Sequence, residues 1–190
     1  MIDLLYLRLA KSAILSELDA SYGFDKSEIL EALPHLRENG ASFVTLESGS
    51  DLRGCIGSIV AYRDLFSDIV SNAKAAAFRD PRFAPLSLDE TMDLSVEVSL
   101  LSTPSEVVYS DFADLVSKVV PHKDGLILKH RHFSSTYLPQ VWQSISDTSE
   151  FLLSLAYKAG ANEQIFNEKP SIYRYRVTSR KELWDELLPL

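Results

Sequence analysis

The stretch Phe43-Val44-Thr45-Leu46-Glu47-Ser48-Gly49-Ser50-Asp51-Leu52-Arg53-Gly54-Cys55-Ile56-Gly57-Ser58-Ile59 decides how this chain is read. Phe43–Glu47 is rich in residues that favour extended backbone, Ser48-Gly49-Ser50 is a turn, and Leu52–Ile59 is a second such run. Together they predict a β-hairpin. Strand alternation places Arg53, Cys55 and Gly57 on one face and Leu52, Gly54 and Ile56 on the other. Directly after the hairpin the period changes: Leu65, Ile69, Ala73 and Ala76 form one stripe of a helix over 64–78, which Asp80-Pro81 ends. Residues 94–101 return to a period of two, with Leu94, Val96, Val98 and Leu100 on one side and Ser95, Glu97 and Ser99 on the other. A hairpin, a helix and another strand without regular alternation predict an α+β fold, antiparallel or mixed sheets packed with helices.

Further out, Leu7, Ala10, Ile14 and Leu18 predict an amphipathic helix over 4–19, followed by a break at Ser21–Asp25. A short helical piece over 27–37 is weakened by Pro34, and Asn39-Gly40 reads as a stop. Toward the C-terminus the chain predicts a helix over 111–120, a turn at Asp124-Gly125 and a short strand at Leu126–Lys129. A polar loop or hairpin tip follows at 131–136, then a helix over about 149–159 capped by Ser149 or Thr148 and closed by Gly160, and a last strand at Tyr173–Val177. No repeat, low-complexity tract or Pro/Gly-rich linker interrupts the sequence, and its 190 residues, 1–190, are the size of one domain or of two intimately packed lobes.

With 19 Lys and Arg against 27 Asp and Glu, the formal charge is -8, and so negative a field disfavours nucleic acid as a partner. The lone cysteine, Cys55, excludes an intrachain disulfide and suits a reducing cytoplasm. No apolar run approaches the roughly 20 residues that span a bilayer, and Met1-Ile2-Asp3 opens without a secretory pattern, so no membrane partner is expected and a cytoplasmic location is.

Chemistry concentrates in Leu52-Arg53-Gly54-Cys55-Ile56-Gly57-Ser58. Glycine weakens a strand, so two of them mark a bulge or a place of close approach to the backbone. Between them lies the only thiol, two residues from an arginine on the same predicted face. A neighbouring guanidinium favours the thiolate, which is the nucleophilic form. On that reading Cys55 attacks substrate, and the N–H groups of Gly54 or Ile56 steady an oxyanion. The plainer reading makes Cys55 a small packed hydrophobe. Glu97 needs a partner if its face lines a cleft, and Arg53 is the candidate; otherwise the face is simply solvated. Arg79 and Arg82, bracketing Asp80-Pro81, form either an anion-binding rim or a charged turn. His130 and His132 can begin a metal site, but no third ligand is evident, and Lys129–His132 reads as a solvated basic loop, so no metal is assigned. His122 is either a proton shuttle or an exposed turn residue. No serine triad, glycosidase carboxylate pair or zinc spacing is present in the sequence.

The seven residues Leu52–Ser58 resemble the hallmark motif of the AMMECR-one domain family, whose prokaryotic members are called AmmeMemoRadiSam system protein A. Further blocks resemble the family in order: Phe43–Leu46, Asn72-Ala73 through Arg79-Asp80-Pro81-Arg82-Phe83, Val96-Glu97-Val98-Ser99, Asp124–Leu128, Leu138-Pro139-Gln140-Val141 and Lys158-Ala159-Gly160. The resemblance covers about residues 4–178. It departs at Ser144–Thr148, which lacks an expected Trp-and-acid pattern, and in the apolar tail Glu182–Leu190. The resemblance implies an α+β fold of two sub-domains with a site in the groove between them, at Arg53, Gly54, Cys55, Ile56 and Gly57, with Arg79, Arg82 and Glu97 as neighbours. It also implies a pathway shared with Memo-like and radical S-adenosylmethionine proteins, but it supplies no reaction and no cofactor. Two functions are therefore expected: a small-molecule-binding or cysteine-dependent catalytic protein using Cys55 and Glu97, or a non-catalytic module that binds a protein, peptide or nucleotide.

Overall fold

A computed structural model describes residues 2–190. The fold is α+β with antiparallel sheets, and the chain divides into two compact units, Met1–Leu101 with Thr178–Leu190, and Ser102–Val177. In the first unit the elements run α1 (Leu4–Leu18), α2 (Lys26–Ala32), β1 (Asn39–Ser48), β2 (Asp51–Gly57), β3 (Arg63–Asp64), α3 (Leu65–Phe78) and β4 (Leu94–Leu101). The second contains β5 (Ser105–Glu106), α4 (Phe112–Lys118), β6 (Asp124–His130), β7 (Phe133–Tyr137) and α5 (Thr148–Lys158). The last strand, β8 (Ser171–Leu183), begins in the second unit and ends in the first.

The central hairpin forms as its sequence predicts, with Ser48 opposite Asp51 and Gly49 at φ 60 in the left-handed region that a tight turn requires. β1 pairs with β2 on one side and β4 on the other, both antiparallel. One face of this sheet is apolar: Val44, Leu46, Val96 and Val98 are buried with Ile14 of α1 and Ile69, Ala73 and Ala76 of α3. Gly54 lets α3 come close, since a Cβ there would stand 2.1 Å from the Ala76 carbonyl oxygen. Asp68 of α3 locks the helix to the hairpin. Its buried carboxylate accepts from Ser42 N–H and Oγ, Ser58 Oγ, Arg63 Nε and Asn72 Nδ2, at 2.7–2.9 Å.

The second unit has its own core, in which the Trp142 and Phe151 rings stack at 3.7 Å with Leu155, Leu126 and Ile172 around them. Four local readings are corrected. Asn39-Gly40 opens β1, because Gly40 leaves room for the Leu65 side chain. Asp124-Gly125 opens β6; the turn is Pro121–Lys123, with His122 at φ 62. Asp124 is buried there because Val120 N–H and Arg176 Nε satisfy its carboxylate, and Gly125 because the Tyr175 ring lies over it. Helix α5 is capped by Asp147, whose carboxylate accepts from Glu150 N–H, and not by Thr148 or Ser149. β8 extends well past Val177, since Ser179, Lys181 and Leu183 continue as strand despite their mixed polarity. Among the described residues no helix is long and apolar enough to cross a membrane.

Candidate functional site

The face of the first sheet turned away from α1 and α3 carries the polar residues of the hairpin. Register sets its central row: Thr45 stands opposite Cys55 on β2 and opposite Glu97 on β4. A thiol, a hydroxyl and a carboxylate thus lie side by side on three adjacent strands, all half-buried. Thr45 Oγ1 donates to Cys55 Sγ at 3.2 Å, and Ser99 Oγ donates to Glu97 Oε1 at 3.2 Å. Strands are spaced by about 4.8 Å, so Glu97, on β4, is two spacings, roughly 10 Å, from the backbone of Cys55 on β2. The next row is Gly57, Phe43 and Ser99, and the Phe43 ring lies over Gly57, 2.2 Å from where a Cβ would stand.

The outer edge of β2 is closed by residues 80–90. Asp80 Oδ2 accepts the Cys55 N–H at 2.9 Å and Arg82 Nη2 donates to the Cys55 carbonyl at 3.3 Å, so one acid–base pair clamps both backbone groups of the cysteine. Arg82 also grips Asp80 through Nε at 2.9 Å and Nη2 at 2.6 Å. Those bonds, and then the Cys55 N–H, hold the Asp80 carboxyl far below the usual carboxylate range although it is buried. Arg53 reaches past this clamp to Glu90, Nε to Oε1 at 2.8 Å and Nη2 to Oε2 at 3.1 Å, and to the Ala84 carbonyl at 2.9 Å. The guanidinium, and then Ser87 N–H, lower the Glu90 carboxyl to about 2. Phe83 sits between the two arginines, 5.8 Å from the Arg53 guanidinium and 5.4 Å from that of Arg82.

The residues singled out by the sequence therefore separate. Cys55 and Glu97 share a face, with Arg53 and Arg82 at its β2 edge. The expected Arg53–Glu97 pair does not form, because Glu90 takes the Arg53 guanidinium in a fork. Arg79 turns away to Glu17 of α1, at 3.3 Å, and forms no rim with Arg82. Gly54 faces α3 and Ile56 packs toward the first core. Because the Cys55 N–H points outward to Asp80, alternation turns those of Gly54 and Ile56 inward to β1, where the ladder takes them and the oxyanion role is lost. Thr45, Asp80 and Glu90 were not assigned from sequence. The Ser87–Glu90 capping box was the available signal for the last, and register alone brings in the first. Of the two histidines considered for a metal, His130 bonds Glu168 at 3.0 Å and His132 lies against the Phe133 ring at 4.0 Å. Among the described residues no three His, Cys, Asp or Glu groups converge.

Comparison with known proteins places this arrangement in a lineage, since the AMMECR1 family model matches residues 7–180. The chain belongs to the AMMECR1 family. A protein from Sulfolobus acidocaldarius is 36% identical over 83% of this chain and 74% of its own length. One from Methanothermobacter thermautotrophicus is 33% identical over 90% of this chain and 89% of its own. A Saccharolobus islandicus protein is 42% identical, but the match spans 66% of this chain and 58% of that relative. The crystal structure of an uncharacterised protein from Pyrococcus horikoshii superposes with a TM-score of 0.79 at 29% identity, over 98% of this chain and 96% of the other. The AMMECR1 hairpin is thus built so that Arg53, Gly54 and Ser58 each hold it to a neighbouring part of the fold, Gly57 admits the Phe43 ring of the partner strand, and Cys55 keeps a half-buried side chain on the polar face.

Proposed function

We propose that this polar face of β2, β1 and β4 binds a small molecule and that Cys55 is its reacting group. The observation that supports this reading is the Cys55–Thr45–Glu97 row. The thiol gives its proton to water and its sulfur adds to a carbonyl carbon of the bound molecule, whose C=O electron pair moves onto the oxygen; Glu97 takes up a proton released on the far side of the molecule, and Arg82 offers its exposed guanidinium to an anionic part. A pathway shared with Memo-like and radical S-adenosylmethionine proteins, and a cytoplasmic location, accompany this proposal on the family resemblance and the single cysteine. Alkylation by iodoacetamide tests it: folded protein is expected to react at Cys55 at a rate that rises with pH, and a thiol that reacts only after unfolding removes the nucleophile.

A second reading is a non-catalytic interaction module. Its support is that Thr45 donates to the sulfur and, among the described residues, no base accepts from the thiol. On that reading Cys55→Ser retains binding of a protein, peptide or nucleotide, whereas on the first it abolishes function.

A further inference from the structure

The basic run Lys129-His130-Arg131-His132 has no place in that proposal, yet it borders a cavity of about 370 Å³ that lies wholly within the second unit. His130, Arg131, Phe133, Asn162, Gln164 and Glu168 are among the residues that line it. His130 Nε2 and Arg131 Nη2 both meet the same carboxylate oxygen, Glu168 Oε2, each at 3.0 Å. A hydrogen bond from His130 and an ion pair from the exposed Arg131 thus converge on one oxygen of the half-exposed Glu168, an arrangement that suits a carboxylate and is held here by the chain's own side chain.

The backbone around it is held in unusual conformations. Arg131, at the tip between β6 and β7, has φ 51; Lys169, next to Glu168, has φ 51 as well. Non-glycine residues seldom adopt this region, and such strain gathers at ligand clamps and switches. Here the two residues are the first of the two-residue turn between β6 and β7 and the cap that ends the short helical segment Glu163–Glu168, so a turn and a helix end set the two sides of the ion-paired cluster. Lys129, Arg131 and Lys169 outnumber Glu163 and Glu168 locally, in a chain of net charge -8. Phe133, with the His132 ring 4.0 Å away, and the buried Ile165 provide an apolar wall. The Asn162 carbonyl oxygen is engaged by Gln164 N–H, while its amide NH2 has no hydrogen-bond partner among the described residues.

The geometry points to a second ligand site in this AMMECR1 protein: the cavity takes a small organic carboxylate with a flat or apolar body. The ligand carboxylate displaces Glu168 from His130 and Arg131, and its body lies against Phe133 and Ile165. Guanidinium forks suit a planar carboxylate, and the cavity volume suits a molecule of metabolite size. No bond is made or broken, and the site is independent of Cys55.

Benzoate is the probe, titrated into the full-length, nitrogen-15-labelled chain and followed by amide chemical shifts. Saturable shifts confined to 129–133 and 160–169 are expected. Arg131→Gly, which keeps the left-handed backbone while removing the guanidinium, weakens binding by about tenfold or more. Glu168→Gln, which removes the internal competitor's charge, tightens it severalfold. Should Arg131→Gly not fold, Arg131→Asn, which also tolerates that backbone, takes its place. Unchanged affinity in either folded variant, an equal response to uncharged benzamide, inorganic phosphate binding as tightly as benzoate, or no saturable shift would each overturn the assignment.

Discussion

The two glycines of the hairpin look equivalent in sequence and are not equivalent in the fold. A methyl group at Gly54 meets backbone, the Ala76 carbonyl at 2.1 Å, so α3 itself must move away from the sheet. At Gly57 the obstacle is the Phe43 side chain, half-buried on the open face, which can swing aside. Overpacking against a rigid element is the dearer case, so Gly54→Ala is expected to destabilise by about 3 kcal/mol and Gly57→Ala by about 1 kcal/mol. Denaturant titration compares them, and an equal loss contradicts the account. Strand alternation was enough to assign these glycines to opposite faces from sequence. It could not say that Arg53 would choose Glu90 over Glu97, because that choice depends on where residues 84–90 fold back, and no local pattern encodes a distance.

The segment 80–90 behaves as an element although it has little regular structure. Asp80 and Arg82 satisfy the Cys55 backbone at the sheet edge, and Glu90 holds Arg53, so the edge strand β2 is blocked against further pairing. Both carboxyls are lower in the folded chain than in an unfolded one: Asp80 mainly through Arg82, and Glu90, at about 2, mainly through Arg53. A carboxyl depressed on folding contributes stability that is fully present above its unfolded pKa and is lost as pH falls through its folded value. The contribution is therefore complete above about pH 4.5 and declines toward pH 2. Unfolding free energies at pH 5 and pH 2.5 should show that decline, and Asp80→Asn or Glu90→Gln should flatten it; an unaltered slope in both variants contradicts the assignment. Elements with strong periodicity, such as Leu94–Leu101 and Leu65–Phe78, were legible in the sequence almost to the residue. Asp124-Gly125 was not, because partners on β8, the exposed Arg176 and the buried Tyr175, give an acid and a glycine strand positions that resemble turn chemistry.

At the scale of the whole chain, the sequence carried the fold class but no boundary, since no Pro/Gly-rich linker separates the parts and β8 serves both. What distinguishes the units physically is their cores. Leu46, Ile69 and Val96 belong to one cluster and Trp142, Phe151 and Leu155 to the other, and the two clusters have no buried residue in common. A cavity made in one core acts first on the contacts of that core. Leu155 is fully buried on α5, so Leu155→Ala is expected to remove about 2–5 kcal/mol. Native-state hydrogen exchange locates the loss. Amides of β6 and β7 should lose protection in proportion to it, while those of β1 and α3 stay near their parent values. Equal loss across both sets would mean that the chain opens only as one cooperative body, and the separate cores would then not be separate units of stability. The same measurement on Cys55→Ser supplies the internal control: its side chain belongs to neither buried cluster, so protection in β6 and β7 should not change.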